Sequence, residues 1–284
     1  MDWNKGETSN NVEVNPGGGG PRFGGGGRMG IGGLIVLAII GWVFFKNPLA
    51  LLDQSGQYGA QPAGNATTQV DPQQKLFVEK ILGSTEKTWG DIFAANGGTY
   101  VDPKLDLFSG SVATACGNAS AAVGPFYCPG DQRIYLDLDF FHELGDRFHA
   151  SGDFARAYVI AHEVGHHVQN ELGVFAKVKQ LQAKGVPMEG ADGLSVRQEL
   201  QADCLAGVWA NRSEQRLQWL QPGDVEAALN AASQIGDDTL QREARGTVVP
   251  DSFTHGTSAQ RVKWFKTGMQ GGDVGSCNTF AGPV

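Results

Sequence analysis

The sequence predicts an α+β fold, with a small early β-sheet, a mostly helical body behind it and one transmembrane helix in front. Three observations carry that prediction. Alternation in Arg133-Ile134-Tyr135-Leu136-Asp137-Leu138 marks a strand. After Asp139 the apolar spacing turns helical and stays so to the end. Ahead of both, Met29–Phe45 is an uncharged apolar run bounded by Arg28 and Lys46.

Length and composition set the outer bounds. The 284 residues suit one or two domains. With 41 % hydrophobic and 18 % charged residues, most of the chain can bury a core, which excludes a wholly disordered protein. The 41 glycines are about twice the usual share, but 12 fall in the first 33 residues without a three-residue period, so collagen is excluded. A net charge of −8 argues against nucleic acid as a partner.

The elements follow in order. Residues 1–28 are polar and glycine-rich, and read as a disordered cytoplasmic tail. Residues 29–46 read as a transmembrane anchor of roughly 25 Å, with Trp42 at one interface. A buried core helix would show a polar stripe, and a cleaved signal peptide would end in small residues rather than Val43-Phe44-Phe45. Lys5, Arg22 and Arg28 precede the run and Lys46 follows it, which predicts a cytoplasmic N-terminus, the bulk of the chain outside and the lipid bilayer as a partner. Residues 47–70 read as a flexible linker. Residues 71–284 form the globular domain, opening on Asp71 as a helix cap with Pro72 behind it. Helices are expected over about 73–95, 139–148, 153–172, 174–184, 193–213, 222–235 and 257–270, with the strands between Tyr100 and Leu138.

The helix at 153–172 carries His162-Glu163-Val164-Gly165-His166. Residues four apart share a helical face, so both imidazoles can reach one ion. Glu163 lies about 100° further round. From there its carboxylate can hold a water beside the ion, accept its proton and pass it on. The apolar flank Ala157–Ala161 makes a merely solvated helix a poor alternative, because polar groups buried there need partners. His167 faces another direction and is a non-ligand, while Gly165 in mid-helix implies close packing. His142 and His149 lie on a polar helix and read as surface residues.

A catalytic zinc site needs a third ligand and one open position. Zinc peptidases that take a third His from the same helix have Gly and His where this chain has Gln169 and Leu172, so that arrangement is excluded. A second helix offers Glu199 and Asp203, again four apart, among Leu200, Ala202, Leu205 and Ala206. Glu199 is the expected third ligand. Asp203 is expected to accept the free N–H of a ligand histidine, most simply His162, with Asp203 in place of Glu199 as the alternative ligand.

With these residues in place, the chain resembles gluzincin-type metallopeptidases, and more closely the bacterial family of putative neutral zinc metallopeptidases. The resemblance rests on Met1-Asp2-Trp3, Arg28-Met29-Gly30, Gly124–Pro129, Tyr135-Leu136-Asp137, Ala161–His167, Arg197–Gly207 and His255-Gly256-Thr257. It implies a zincin-like domain holding one Zn2+ per chain, acting on protein or peptide substrates from the bacterial inner membrane, with the domain periplasmic or extracellular. The segment Gly124–Leu138 is the candidate edge strand for pairing with substrate backbone, and Tyr127 or Tyr135 could face the cleft or fill the core. His255, followed six residues on by Arg261, resembles a His-then-Arg element of some membrane zinc peptidases, in which Pro stands where this chain has Gly256. That makes His255 a candidate oxyanion donor; the plainer reading is a helix cap region around Thr257 or Ser258.

Four cysteines allow three pairings. Cys116 and Cys128 bracket a Gly/Ala-rich loop and are expected to bridge, contributing about 3 kcal/mol. That leaves Cys204 for Cys277, the alternative being four reduced thiols. The function expected is a membrane-anchored zinc endopeptidase. The rivals are a catalytically silent zinc-stabilised interaction or chaperone-like envelope module, and a hydrolase of other amides such as cell-wall peptide.

Overall fold

Helix α1 (Pro72–Ala95) starts where the sequence places it, with the Asp71 carboxylate accepting from the Gln73 N–H at 2.9 Å. The computed structural model describes residues 1–15, 70–120, 124–146 and 152–284. Its main sheet has four strands, β1 (Val12–Val14), β2 (Lys104–Phe108), β6 (Arg133–Asp137) and β5 (Phe126–Cys128), in the order β1-β2-β6-β5. The first three run parallel, with Val12 opposite Leu105 and Leu105 opposite Ile134; β5 pairs antiparallel with β6 and forms an edge. Parallel neighbours need a crossover, and α1 supplies it between β1 and β2. The hairpin β3 (Ser111–Thr114) and β4 (Gly117–Ser120) stands apart, tied to β5 by the Cys116–Cys128 disulfide.

Seven helices follow: α2 (Phe140–Asp146), α3 (Asp153–Glu171), α4 (Val174–Ala183), α5 (Leu194–Leu217), α6 (Asp224–Gln234), α7 (Asp237–Arg245) and α8 (Ser258–Gly271). Helix α3 is buried nearly all round because it has neighbours nearly all round: β5 and β6, then α1, α5 and α6. Leu105, Leu107, Ile134 and Leu136 of the sheet, Phe77, Ile81 and Leu82 of α1, and Ile160 and Val164 of α3 share one buried core. Each such side chain stabilises the fold by about 1.5–3 kcal/mol relative to exposure. Helices α5 and α8 touch at backbone distance, since a Cβ on Gly268 would lie 1.9 Å from the Cys204 carbonyl oxygen. The second expected disulfide, Cys204–Cys277, staples the C-terminal segment to α5.

Two expectations are corrected. Residues 1–15 belong to the fold rather than to a disordered tail, because the glycine runs begin only at Gly17. Before them, Trp3 packs edge-on against Phe77, and Ser9 and Asn11 donate to Glu86 Oε1 at 2.7 and 2.9 Å. Gly83 lets this segment cross α1 so closely that a Cβ there would lie 2.3 Å from the Glu7 carbonyl oxygen.

The second correction concerns the anchor. No helix among the described residues is long and apolar enough to cross a membrane, and the proposed anchor (29–46) and all but the last residue of the linker (47–70) lie outside the described residues. Strand β1 shares a sheet with β2 and β6, and the Met1 amine pairs with Asp224 at 2.8 Å. Residues 1–15 and the domain therefore form one body, which overturns a topology placing them on opposite faces of a bilayer. The predicted class, α+β behind a transmembrane helix, gives way to a mixed α/β fold with eight helices among the described residues, none of them a membrane span. The bilayer partner and the inner-membrane location fall with it.

Candidate metal centre

Helix α3 presents His162 and His166 one turn apart, their rings edge to face with centroids 4.8 Å apart. Helix α5 crosses α3 where Gly165 meets Ala202: a Cβ on Gly165 would lie 2.9 Å from the Ala202 carbonyl oxygen. That close approach carries Glu199, three residues before Ala202, to the two imidazoles. His162 Nε2 lies 3.2 Å from Glu199 Oε2, and His166 Nε2 lies 3.5 Å from Glu199 Oε1. One donor atom from each of the three residues falls within 4.8 Å of the others. In tetrahedral zinc coordination with bonds of about 2.0–2.1 Å, ligand atoms stand roughly 3.4 Å apart. The three side chains thus fit that ion in both donor type and spacing.

The surrounding charge suits a dication. Burial would push the Glu199 carboxyl up, but His166 and His162 outweigh it and hold it well below the usual carboxylate range. Burial would push the His162 imidazole down, but Asp203 outweighs it and raises it to about 10. A divalent cation would take the place of the protons the imidazoles gather here. Glu163, 7 % exposed, has its carboxyl raised by burial, against the pull of His162 and His166.

Asp203 is wholly buried and is the hub behind His162. Its carboxylate accepts from His162 Nδ1 at 2.8 Å, Tyr158 Oη at 2.5 Å, and Arg261 Nε and Nη2 at 2.9 and 3.0 Å. Burial alone would raise its carboxyl, yet Arg261 and His162 hold it at about 2. It faces the Nδ1 side of His162 only, whereas Glu199 lies beside Nε2 of both imidazoles.

His255 sits in the turn before α8, whose start is a capping box built by Thr257 and Gln260. Asp237 holds that turn: its Oδ2 accepts from the backbone N–H groups of Thr254, His255 and Gly256 at 2.7, 2.6 and 3.0 Å. Its Oδ1 lies 3.4 Å from His255 Nδ1. No hydrogen bond joins His255 to the three ligands, although its charge helps lower the Glu199 carboxyl. His167 turns away from them, bonding the Tyr127 hydroxyl at 3.1 Å and the Val101 carbonyl at 2.7 Å. Tyr127 and Tyr135 are both buried, and the Tyr135 hydroxyl donates to Asp131, so both act as core aromatics. His149 and the side chain of His142 lie outside the described residues.

Sequence reasoning missed Tyr158, Gln169 and Asp237. Tyr158 stands four residues before His162, on the same helical face, which was a usable signal. Asp237 carried none.

Comparison with known proteins bears on this centre. Residues 1–280 match the profile of a family described as Putative neutral zinc metallopeptidase. The uncharacterized protein YpfJ of Escherichia coli is 46 % identical over 289 residues, covering 99 % of both chains. The uncharacterized protein Rv2575 of Mycobacterium tuberculosis is 47 % identical over 192 residues, covering 64 % of both. No solved structure matches the chain.

Proposed function

The chain belongs to the family of putative neutral zinc metallopeptidases, and from that premise we propose that it is a zinc endopeptidase in which His162, His166 and Glu199 hold one zinc ion. The convergence of these three side chains, with Glu163 beside them, is the observation that carries the reading. When bound, the ion would act as a Lewis acid towards a peptide carbonyl and make water a stronger acid. The chain supplies the rest. Glu163 takes a proton from the attacking water and delivers it to the leaving amine.

Asp203 accepts the His162 Nδ1–H, which leaves Nε2 bare for the ion. His255, held by Asp237, is the candidate donor to the oxyanion. Strand β5 lies at a sheet edge and packs on α3, so a substrate segment can pair with its backbone next to the metal helix.

Purified protein is expected to carry one zinc per chain. Glu163→Gln is expected to retain the zinc while losing about 10²–10⁴-fold in hydrolysis. A panel of unfolded proteins, peptides and muropeptides, assayed with wild-type protein, separates the rivals. Cleavage of muropeptides alone would point to another amide, and no cleavage of anything would point to a silent zinc module. A Glu163→Gln protein as active as wild type would contradict the mechanism.

A further inference from the structure

The two histidine ligands are backed in different ways. His162 leans on the buried Asp203 carboxylate, whereas His166 Nδ1 meets a neutral amide, Gln169 Oε1, at 3.0 Å. Gln169 is wholly buried. Its Nε2 donates twice into α5, to the Gln198 carbonyl at 2.7 Å and to Gln201 Oε1 at 3.1 Å. Gln201 Nε2 in turn donates to the Cys277 carbonyl at 2.9 Å.

The direction of this chain follows from its far end. A backbone carbonyl can only accept, so Gln201 must turn its NH2 to Cys277 and its oxygen to Gln169. Gln169 must then turn its NH2 towards α5, where both neighbours are oxygens, and its own oxygen to His166. Flipping either amide would set oxygen against oxygen and leave buried donors unmatched. His166 must therefore carry a proton on Nδ1, which makes Nε2, facing Glu199, the nitrogen that would hold the ion. The terminal acceptor is itself pinned, since Cys277 is disulfide-bonded to Cys204 on α5. The segment beyond it is held too, as Thr279 Oγ1 donates to the Arg197 carbonyl at 2.6 Å.

We propose that Gln169 and Gln201 are positioning residues: they form a one-way amide relay from the stapled C-terminal segment to His166, setting its tautomer and ring orientation for the metal. The relay rests on the zinc-site reading above, and makes the segment around Cys277 part of the metal centre through Gln201 and Gln169.

The test is zinc affinity, measured by competition with a chromophoric chelator, alongside the melting temperature of chelator-treated protein. Gln169→Leu, which removes the acceptor, is expected to raise the zinc dissociation constant about 10–100-fold, the usual effect of losing a partner behind a ligand histidine. Gln201→Met, at a half-buried site that bonds Gln169 rather than His166, should weaken zinc in the same direction even if Gln169→Leu fails to fold. A merely structural role would lower the melting temperature of both variants and leave zinc affinity unchanged, and that result overturns the proposal. Wild-type protein that binds no zinc would instead remove the site itself, and the relay with it.

Discussion

Asp203→Asn strips a buried arginine of its counter-ion. Arg261 and Asp203 have side-chain exposures of 3 % and 0 %, and two of the four hydrogen bonds reaching the carboxylate come from the guanidinium. Asparagine offers one acceptor oxygen in place of two and turns an NH2 towards donors. Breaking a buried pair by removing one partner costs about 3–5 kcal/mol, because the remaining charge has nowhere to go. Native domains hold only about 5–15 kcal/mol in total, so the loss is large. Urea unfolding in excess chelator isolates it from any contribution of zinc. Replacing both partners by apolar residues, as in Asp203→Leu/Arg261→Met, should recover part of the stability, since it removes the unpaired charge but leaves the Tyr158 hydroxyl and the His162 Nδ1–H without this acceptor. Zinc affinity should stay low in the double variant, since His162 still lacks its acceptor. A single variant within about 1 kcal/mol of wild type, or a double variant no more stable than the single, would refute the reasoning.

Other expectations follow from contacts elsewhere. Gly268→Ala must force α8 away from α5, because the new Cβ meets backbone at 1.9 Å; overpacking of this kind costs about 1–3 kcal/mol or more, and thermal melts with zinc titrations should show stability and affinity falling together as Arg261 leaves Asp203. Cys204→Ser/Cys277→Ser opens a loop of 73 residues, for which chain entropy predicts a loss of about 4 kcal/mol in equilibrium unfolding. Burial raises the Glu86 carboxyl, against the pull of its bonds from Asn11 and Ser9. A raised carboxyl favours the fold while protonated, below its unfolded value near 4.5, and that benefit disappears as pH rises through the folded value. Glu86→Gln, which keeps an acceptor for Ser9 and Asn11, should therefore be more stable than wild type at pH 7, with the gap closing towards pH 4.5 in urea titrations.

The metal centre was the most legible part of the chain because its signals are local. His162 and His166 are spaced by one helical turn, and Glu199 and Asp203 repeat that spacing on a second helix. Gly165 announced close packing, and Ala202 is what it packs against. Features made of long-range pairing were not legible. Strand β1 is three residues long in a polar stretch and becomes a strand only because β2 offers it an edge. Gln169 looked like a mere departure from another arrangement, since its partners Gln198, Gln201 and Cys277 lie on elements that folding brings to it. Asp237 holds the His255 turn from 18 residues upstream, a relation no period reveals. The apolar run at 29–46 led the topology astray because composition alone cannot see that residues 12–14 and 105–107 share a sheet.

Diffraction from zinc-loaded crystals on either side of the zinc absorption edge tests the central claim most directly. The account predicts one anomalous peak per chain, about 2.0–2.2 Å from Nε2 of His162, Nε2 of His166 and a carboxylate oxygen of Glu199. A peak elsewhere, or ligation that leaves Glu199 out, would contradict it.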